Sequence, residues 1–311
     1  LTSEGIAEAT PALVQEMLFK HPQTPAPLLP ADPVPPPLSV RTGDVKKCIS
    51  SFPTGTAPGP SSLRANHLQE AVNCPSAEAG NRVLTALTAF IQLLVNGHAP
   101  AAVTPFLCGA TLIACKKKDG GVRPIAVGEV LRRLASKCVL RGVSREAADL
   151  LAPLQVGVGI PMGCEAIVHA VRSTLNAEDV AKEEKWVLMI DFQNAFNTVD
   201  RAEMFKTFRE HLPAVSAWLE SSYGPHSILH FGQHRIMSCT GVQQGDPLGP
   251  LAFALTLHQV VEKIQSEVPS LQLNSWYLDD GTLCGKPDDL LKAWEIIERD
   301  CPTLGLKVNR T

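Results

Sequence analysis

The sequence predicts an α+β fold in which an antiparallel sheet is backed by helices. Three observations carry this reading. Short apolar runs of strand length end in carboxylates or tight turns, longer segments repeat apolar residues at helical intervals, and Asp-Gly or Gly-containing turns separate β-prone runs. The 311 residues, 45% of them apolar, suffice for a sizeable core and about two domain-sized units.

Taken in order, residues 1–37 read as an N-terminal helix and a proline-rich arm. Eight prolines between positions 22 and 37 remove donors and fix the backbone, so the arm should be extended. A boundary is expected near Leu38. Residues 56–62 carry turn chemistry, with a serine as helix cap ahead of Leu63, Leu68 and Val72. Residues 83–95 form an amphipathic helix that Gly97 ends. Residues 111–115 and 122–127 pair as a hairpin whose tip holds Lys116, Lys117, Lys118 and the Asp119-Gly120 turn. Helices follow over 129–151 and 164–177. Trp186 to Ile190 is a buried strand with Asp191 at its C-terminal end. Residues 205–223 form a helix broken at Pro213, 228–239 a hairpin around Gly232, and 249–268 a long apolar helix. Finally, residues 275–278 and 282–284 flank Asp279-Asp280-Gly281, a tight turn in which Gly281 is expected to supply the unusual backbone angles.

No run of 18 apolar residues occurs, so no membrane-spanning helix is predicted. Nine scattered cysteines without a C-x-x-C pair point to a reducing, intracellular setting without structural zinc. The net charge of -3 argues mildly against a nucleic-acid partner, but positions 111–145 hold nine basic residues against Asp119 and Glu129. A cluster of that kind draws in phosphates, or is simply a solvated helix face. The chain starts at Leu1 without a leader pattern, so both ends are expected to be cuts in something longer.

Asp191 at a strand end and Asp279-Asp280 at a turn offer carboxylates that neighbouring strands could bring together from 88 residues apart. Such a cluster repels itself unless a cation relieves it. Hard cations take oxygen ligands, and two magnesium ions about 3.5–4 Å apart are the usual device for moving a nucleotidyl group. A rival metal reading comes from His226, His230 and His234, spaced by four with Cys239 nearby. Gly224-Pro225 and Gly232 favour strands there instead.

The motifs together resemble the reverse transcriptases of non-LTR retrotransposons. Residues 187–196, V-L-M-I-D-F-Q-N-A-F, look like the family's first catalytic motif, D-x-x-x-A-F after an apolar strand. Residues 241–253 are similar to G-x-x-Q-G-x-x-x-S-P-x-x-F, with Gly249 for the serine. Residues 277–280 match Y-x-D-D. These occur in the family's order, with spacings of 53 and 35 residues from Asp191 to Gln244 to Asp279. Upstream, residues 57–63 resemble A-P-G-P-D-G-L with Ser61-Ser62 for Asp-Gly, and Arg123-Pro124-Ile125 the end of the fingers hairpin.

The resemblance implies a right-hand polymerase without its thumb: fingers over 38–181 and palm over 182–311. It implies RNA-templated DNA synthesis from a DNA primer and dNTPs, with two Mg2+ (Mn2+ as substitute) held by Asp191, Asp279, Asp280 and the Phe192 carbonyl. Lys118 and Arg123 would hold the triphosphate, Phe196 would exclude a 2′-hydroxyl, and Gln244 and Gly245 would line the sugar and template side. Residues 304–309 resemble the element after the catalytic hairpin, where a lysine three positions past the Asn would fall beyond Thr311. On its own, this stretch is expected to be a poor polymerase. A group II intron-like enzyme is a near alternative, and a viral RNA polymerase fits less well. From a different class, the chain could be a decayed or domesticated fold that binds RNA or protein. The expected location is the nucleus and cytoplasm.

Overall fold

A computed structural model describes residues 5–118, 120–176 and 185–310. In chain order the elements are β1 (Ile6–Ala7), α1 (Pro11–Lys20), α2 (Thr42–Ser50), α3 (Ala65–Val72), α4 (Ala77–Val95), α5 (Thr104–Leu107), β2 (Ala110–Lys116), β3 (Val122–Gly128), α6 (Val130–Leu151) and α7 (Gly163–Asn176). They continue with β4 (Trp186–Ile190), α8 (Ala195–Thr198), α9 (Arg201–His211), α10 (Ser216–Tyr223), β5 (Ser227–Phe231), β6 (His234–Ser238), α11 (Gly249–Glu267), β7 (Leu273–Tyr277), β8 (Asp280–Gly285) and α12 (Pro287–Asp300). The Asp119 half of the expected Asp-Gly turn, and the expected division at 181/182, fall outside the described residues.

Two sheets organise these elements. The smaller is antiparallel, in the order β4-β8-β7, and α7, α11 and α12 pack against it. The larger is mixed. Strand β2 pairs antiparallel with β3 on one side, while its other side meets β5 in parallel at Ala110↔Leu229 and β1 antiparallel at Ala7↔Ala114. The 110–128 hairpin and the 227–238 hairpin therefore share one sheet, a long-range pairing that no local signal announces.

Local chemistry explains most elements. In β2 and β3, Ala110, Leu112, Ala114 and Val122, Pro124, Ala126 face inward alternately, the period-2 pattern of a half-buried strand. Pro124 is tolerated because β3 has only β2 as a neighbour. Thr10 caps α1 ahead of Pro11, Ser76 caps α4, and Asp200 caps α9 through the Glu203 amide at 2.9 Å. Pro213 opens a short 3-10 turn between α9 and α10.

The main core runs from α2 through α6 and α9 to α11 and the small sheet, with Trp218, Phe205, Phe208, Phe253 and Trp276 fully buried. A second core lies on the large sheet, where α1 lays Val14 and Met17 over Leu112, Val122, Leu229 and Ile236. The proline arm has no regular structure but is tied down: Arg209 donates to the Asp32 and Pro33 carbonyls, and the Leu38 amide to the Ala214 carbonyl.

Three local expectations change. Strand β4, expected to be buried, leaves Trp186, Val187 and Met189 exposed and buries only Ile190, because helices pack on just part of the small sheet. Helix α3 is capped by Arg64, not a serine; Ser61 instead donates its amide and hydroxyl to the Glu129 carboxylate, and Ser62 sits at φ 64. The basic cluster of 111–145 is partly consumed by folding. Arg132 is 1% exposed and Arg133 9%, while Arg141 pairs with Asp44 at 3.0 Å. Only part of that charge faces solvent. The histidines do lie as expected, on or beside β5 and β6, with Phe231 paired to His234 and His230 to Arg235, in strands and not on a helix face.

Candidate active site

The small sheet converges on its carboxylates by register. Ile190 lies opposite Gly281, so Asp191 follows on directly across from Asp280, and opposed residues of antiparallel strands share a face. Tyr277 pairs with Asp280, leaving Leu278-Asp279 as a two-residue turn. Asp191 and Asp280 are exposed and Asp279 half-buried. Burial, helped by the charges of Asp280 and Asp191 and opposed by Arg123, pushes Asp279 up to about 6. Asp280 is raised too, by burial and then by Asp191. Asp279 and Asp280 thus feel Asp191 as a like charge, and the Arg123 charge works against it at Asp279.

The positive φ of this turn belongs to Leu278, at 56°, and not to Gly281. A left-handed leucine costs about 1–2 kcal/mol. Gly281 is required for another reason: a Cβ there would lie 2.6 to 2.9 Å from the Trp276 ring. Leu278 is held from outside its own hairpin. The buried Gln155 carboxamide donates to the Leu278 carbonyl at 2.9 Å and accepts its amide at 2.8 Å.

Beside β4, residues 307–309 form one more extended pairing. The Gln193 amide donates to the Lys307 carbonyl and the Asn309 amide to the Asp191 carbonyl, both at 2.8 Å. The Asn309 side chain also donates to the Asp191 carboxylate at 2.9 Å. Because these bonds run through Asp191 and Gln193, the Phe192 carbonyl is left out of the pairing. The Phe192 ring is buried and stacked on Trp276 at 6.2 Å.

The 243–246 loop, between β6 and α11, is anchored against the large sheet and α6. Asp246 forms a fully buried ion pair with Arg132 at 2.9 Å and accepts the Tyr223 hydroxyl at 2.9 Å. Arg132 also donates to the Gln243 side chain and the Cys108 carbonyl. With this anchor in place, the Gln244 carbonyl accepts the Ala126 amide at 2.8 Å. Gly245 adopts φ +140 with space for no side chain, since its Cβ would stand 2.3 Å from the Ala126 carbonyl oxygen. The same β3 carries Arg123. Phe196 is half-buried, stacked on Phe253 at 4.7 Å and fixed by its carbonyl to the Val242 amide.

Asp191, Asp279, Asp280, Phe192 and Arg123 therefore gather around one end of the small sheet, and Gln244 and Gly245 lie against the strand that bears Arg123. Lys118 is exposed at the hairpin tip, with no contact to the carboxylates among the described residues. The donor chemistry fits hard divalent cations: clustered carboxylates whose charge is only weakly opposed, next to a carbonyl outside the sheet pairing. Among the described residues, no three His, Cys, Asp or Glu side chains already close into a cage. Magnesium is usually held by one or two carboxylates plus substrate phosphates, and needs no such cage. The residues missed from sequence are the ones that act at long range. Gln155 and the Arg132–Asp246 pair carry no local signature, and Asn309 was visible only as part of a motif.

A family model described as reverse transcriptase (RNA-dependent DNA polymerase) matches residues 115–311. The Retrotransposable element SLACS 132 kDa protein of Trypanosoma brucei gambiense is 25% identical over 230 residues, 72% of this chain and 19% of its own length. The Retrovirus-related Pol polyprotein from type-1 retrotransposable element R2 of Popillia japonica is 25% identical over 189 residues, 57% of this chain and 26% of its own. The chain thus spans about a fifth to a quarter of these relatives. Among solved structures, apo telomerase from Candida tropicalis, truncated from its C-terminal domain, gives a TM-score of 0.48 at 12% identity, over 66% of this chain and 49% of that one.

Proposed function

Because the chain belongs to the reverse transcriptase (RNA-dependent DNA polymerase) family, we propose that it builds DNA on an RNA template from a primer 3′-hydroxyl, as the polymerase of a non-LTR retroelement. The observation that carries this reading is the register that sets Asp191 opposite Asp280 at the turn bearing Asp279. Two Mg2+ ions, or Mn2+, held by these carboxylates and the Phe192 carbonyl would supply an activated 3′-hydroxyl and neutralise charge on the triphosphate.

The chain's own residues would do the rest. Arg123 would grip phosphate oxygens with its planar fork, and Lys118 would add a point charge from the mobile reach of a long side chain at the hairpin tip. Phe196, braced by Phe253, would stand under the incoming sugar and exclude a 2′-hydroxyl by bulk. Gln244 and Gly245 would border the sugar and template, where a missing side chain admits close approach. In this reading residues 38–181 serve as fingers and 182–311 as palm, with 1–37 an accessory helix and arm, and the protein works in the nucleus and cytoplasm.

Primer extension with the full-length protein, wild type against Asp279→Asn, on RNA and on DNA templates, tests the proposal. Loss of product in the variant by a factor of about 100 or more is expected. Equal extension by the two proteins would sink it and leave nucleic-acid binding without catalysis as the function.

A further inference from the structure

We propose that Gln155 is a positioning residue for the carboxylate-bearing turn: its carboxamide holds Leu278 left-handed and so sets where Asp279 and Asp280 project. The proposal rests on the polymerase reading of those two carboxylates.

Leu278 is neither Gly nor Asn, yet it sits at φ 56. A leucine stays there only if its surroundings over-determine it. Gln155 meets that need from 123 residues away in sequence. The side chain belongs to a residue with 0% exposure, and it pairs with both the amide and the carbonyl of Leu278, as a neighbouring strand would. Its orientation is fixed as well. Oε1 accepts a second amide, from Gly157 at 3.0 Å, so turning the carboxamide over would set its NH2 against two N–H donors.

The segment around Gln155 is itself bonded to the hairpin. The Val156 amide donates to the Trp276 carbonyl at 2.8 Å, and the Trp276 amide to the Leu154 carbonyl at 2.7 Å. Residues 154–156 thereby extend the small sheet beyond β7. A Cβ at Gly157 would stand 2.6 Å from the Leu278 nitrogen, so this segment lies as close to the turn as backbone allows. Asp279 is the next residue, and its direction is inherited from the Leu278 dihedrals. Reacting groups displaced by an ångström lose rate by a factor of about 100.

Gln155→Met keeps the length of the side chain and removes its amide. Three measurements on the purified protein are informative: Mn2+ affinity by EPR without substrate, hydrogen exchange at the Leu278 amide, and kcat and KM for single-nucleotide addition. About tenfold weaker Mn2+ binding is expected, with faster Leu278 exchange, a kcat lowered about tenfold and a nearly unchanged KM for the template-primer. In a Leu278→Gly background, where the left-handed turn is free of penalty, the same substitution should cost about twofold. Equal Mn2+ affinity in wild type and Gln155→Met would overturn the proposal, as would an equal loss in both backgrounds, which would reduce Gln155 to core packing. If Gln155→Met does not fold, Gln155→Glu supports the same comparison, since it keeps the acceptor for both amides and sets an oxygen against the Leu278 carbonyl. Full activity in Asp279→Asn would overturn the polymerase reading alone, because Mn2+ affinity and Leu278 exchange report the clamp without catalysis.

Discussion

Asp246→Asn keeps the shape of a buried side chain and removes its charge, leaving Arg132 without its ion partner. The two side chains are 2% and 1% exposed, 2.9 Å apart, so water cannot take over the solvation of the guanidinium. Burial opposes the Arg132 charge, and Asp246 overcomes it, holding the guanidinium above its ordinary pKa. In the variant the new NH2 meets donors whichever way the amide turns: Arg132 and the Tyr223 hydroxyl, which share Oδ2, or the Leu248 amide at Oδ1. Breaking one side of such a pair costs roughly 3–5 kcal/mol, which corresponds to a fall in melting temperature on the order of 5–8 °C for a chain of this size. Differential scanning calorimetry at pH 7, in low salt and in 1 M NaCl, measures it. The loss should be the same in both, because a buried pair is poorly screened. Adding Arg132→Met should recover part of it, since the stranded charge dominates the penalty. A melting temperature within about 2 °C of wild type would refute the reasoning.

Three further outcomes are expected. Asp149→Ala removes an exposed partner of Arg145, with side chains 95% and 76% exposed at 3.9 Å, and should change stability by less than about 0.5 kcal/mol in the same calorimetric assay. Gly245→Ala places a Cβ 2.3 Å from the Ala126 carbonyl oxygen at φ +140, so the loop must leave β3; loss of extension by about tenfold or more is expected, and wild-type primer extension would show that the contact has slack. Phe196→Ala should admit ribonucleotides in single-nucleotide incorporation, with discrimination falling by about tenfold or more. Unchanged discrimination would remove Phe196 from the sugar gate.

Short-range chemistry made much of this fold legible. The β2–β3 hairpin, the strand before Asp191, the helix of 249–267 and the break at Pro213 all follow from period, turn residues and proline, which act within a few positions. The carboxylates were legible because a strand end and a hairpin turn limit where Asp191, Asp279 and Asp280 can point. Pairings across the chain were not. Nothing local tells that β2 accepts β5 in parallel, or that Asp246 will draw Arg132 out of a basic run. The turn shows the limit most clearly. Sequence favours Gly281 as the residue of unusual geometry, whereas Gly281 yields space to Trp276, and Leu278 takes the strained conformation because Gln155 supplies the bonds that hold it.

The first strand and helix bear on what a cooperative unit is in this molecule. The match to the family model begins at residue 115, inside β2 (Ala110–Lys116). A chain trimmed to that limit would keep only Cys115 and Lys116 of the strand that β1, β3 and β5 all pair with. It would also lose Val14 and Met17, the lid of the second core. Such a piece would leave the Arg123 strand with an open edge, ready to pair with other chains. The sheet that carries Arg123 is thus completed by residues ahead of the matched stretch, β1 and most of β2.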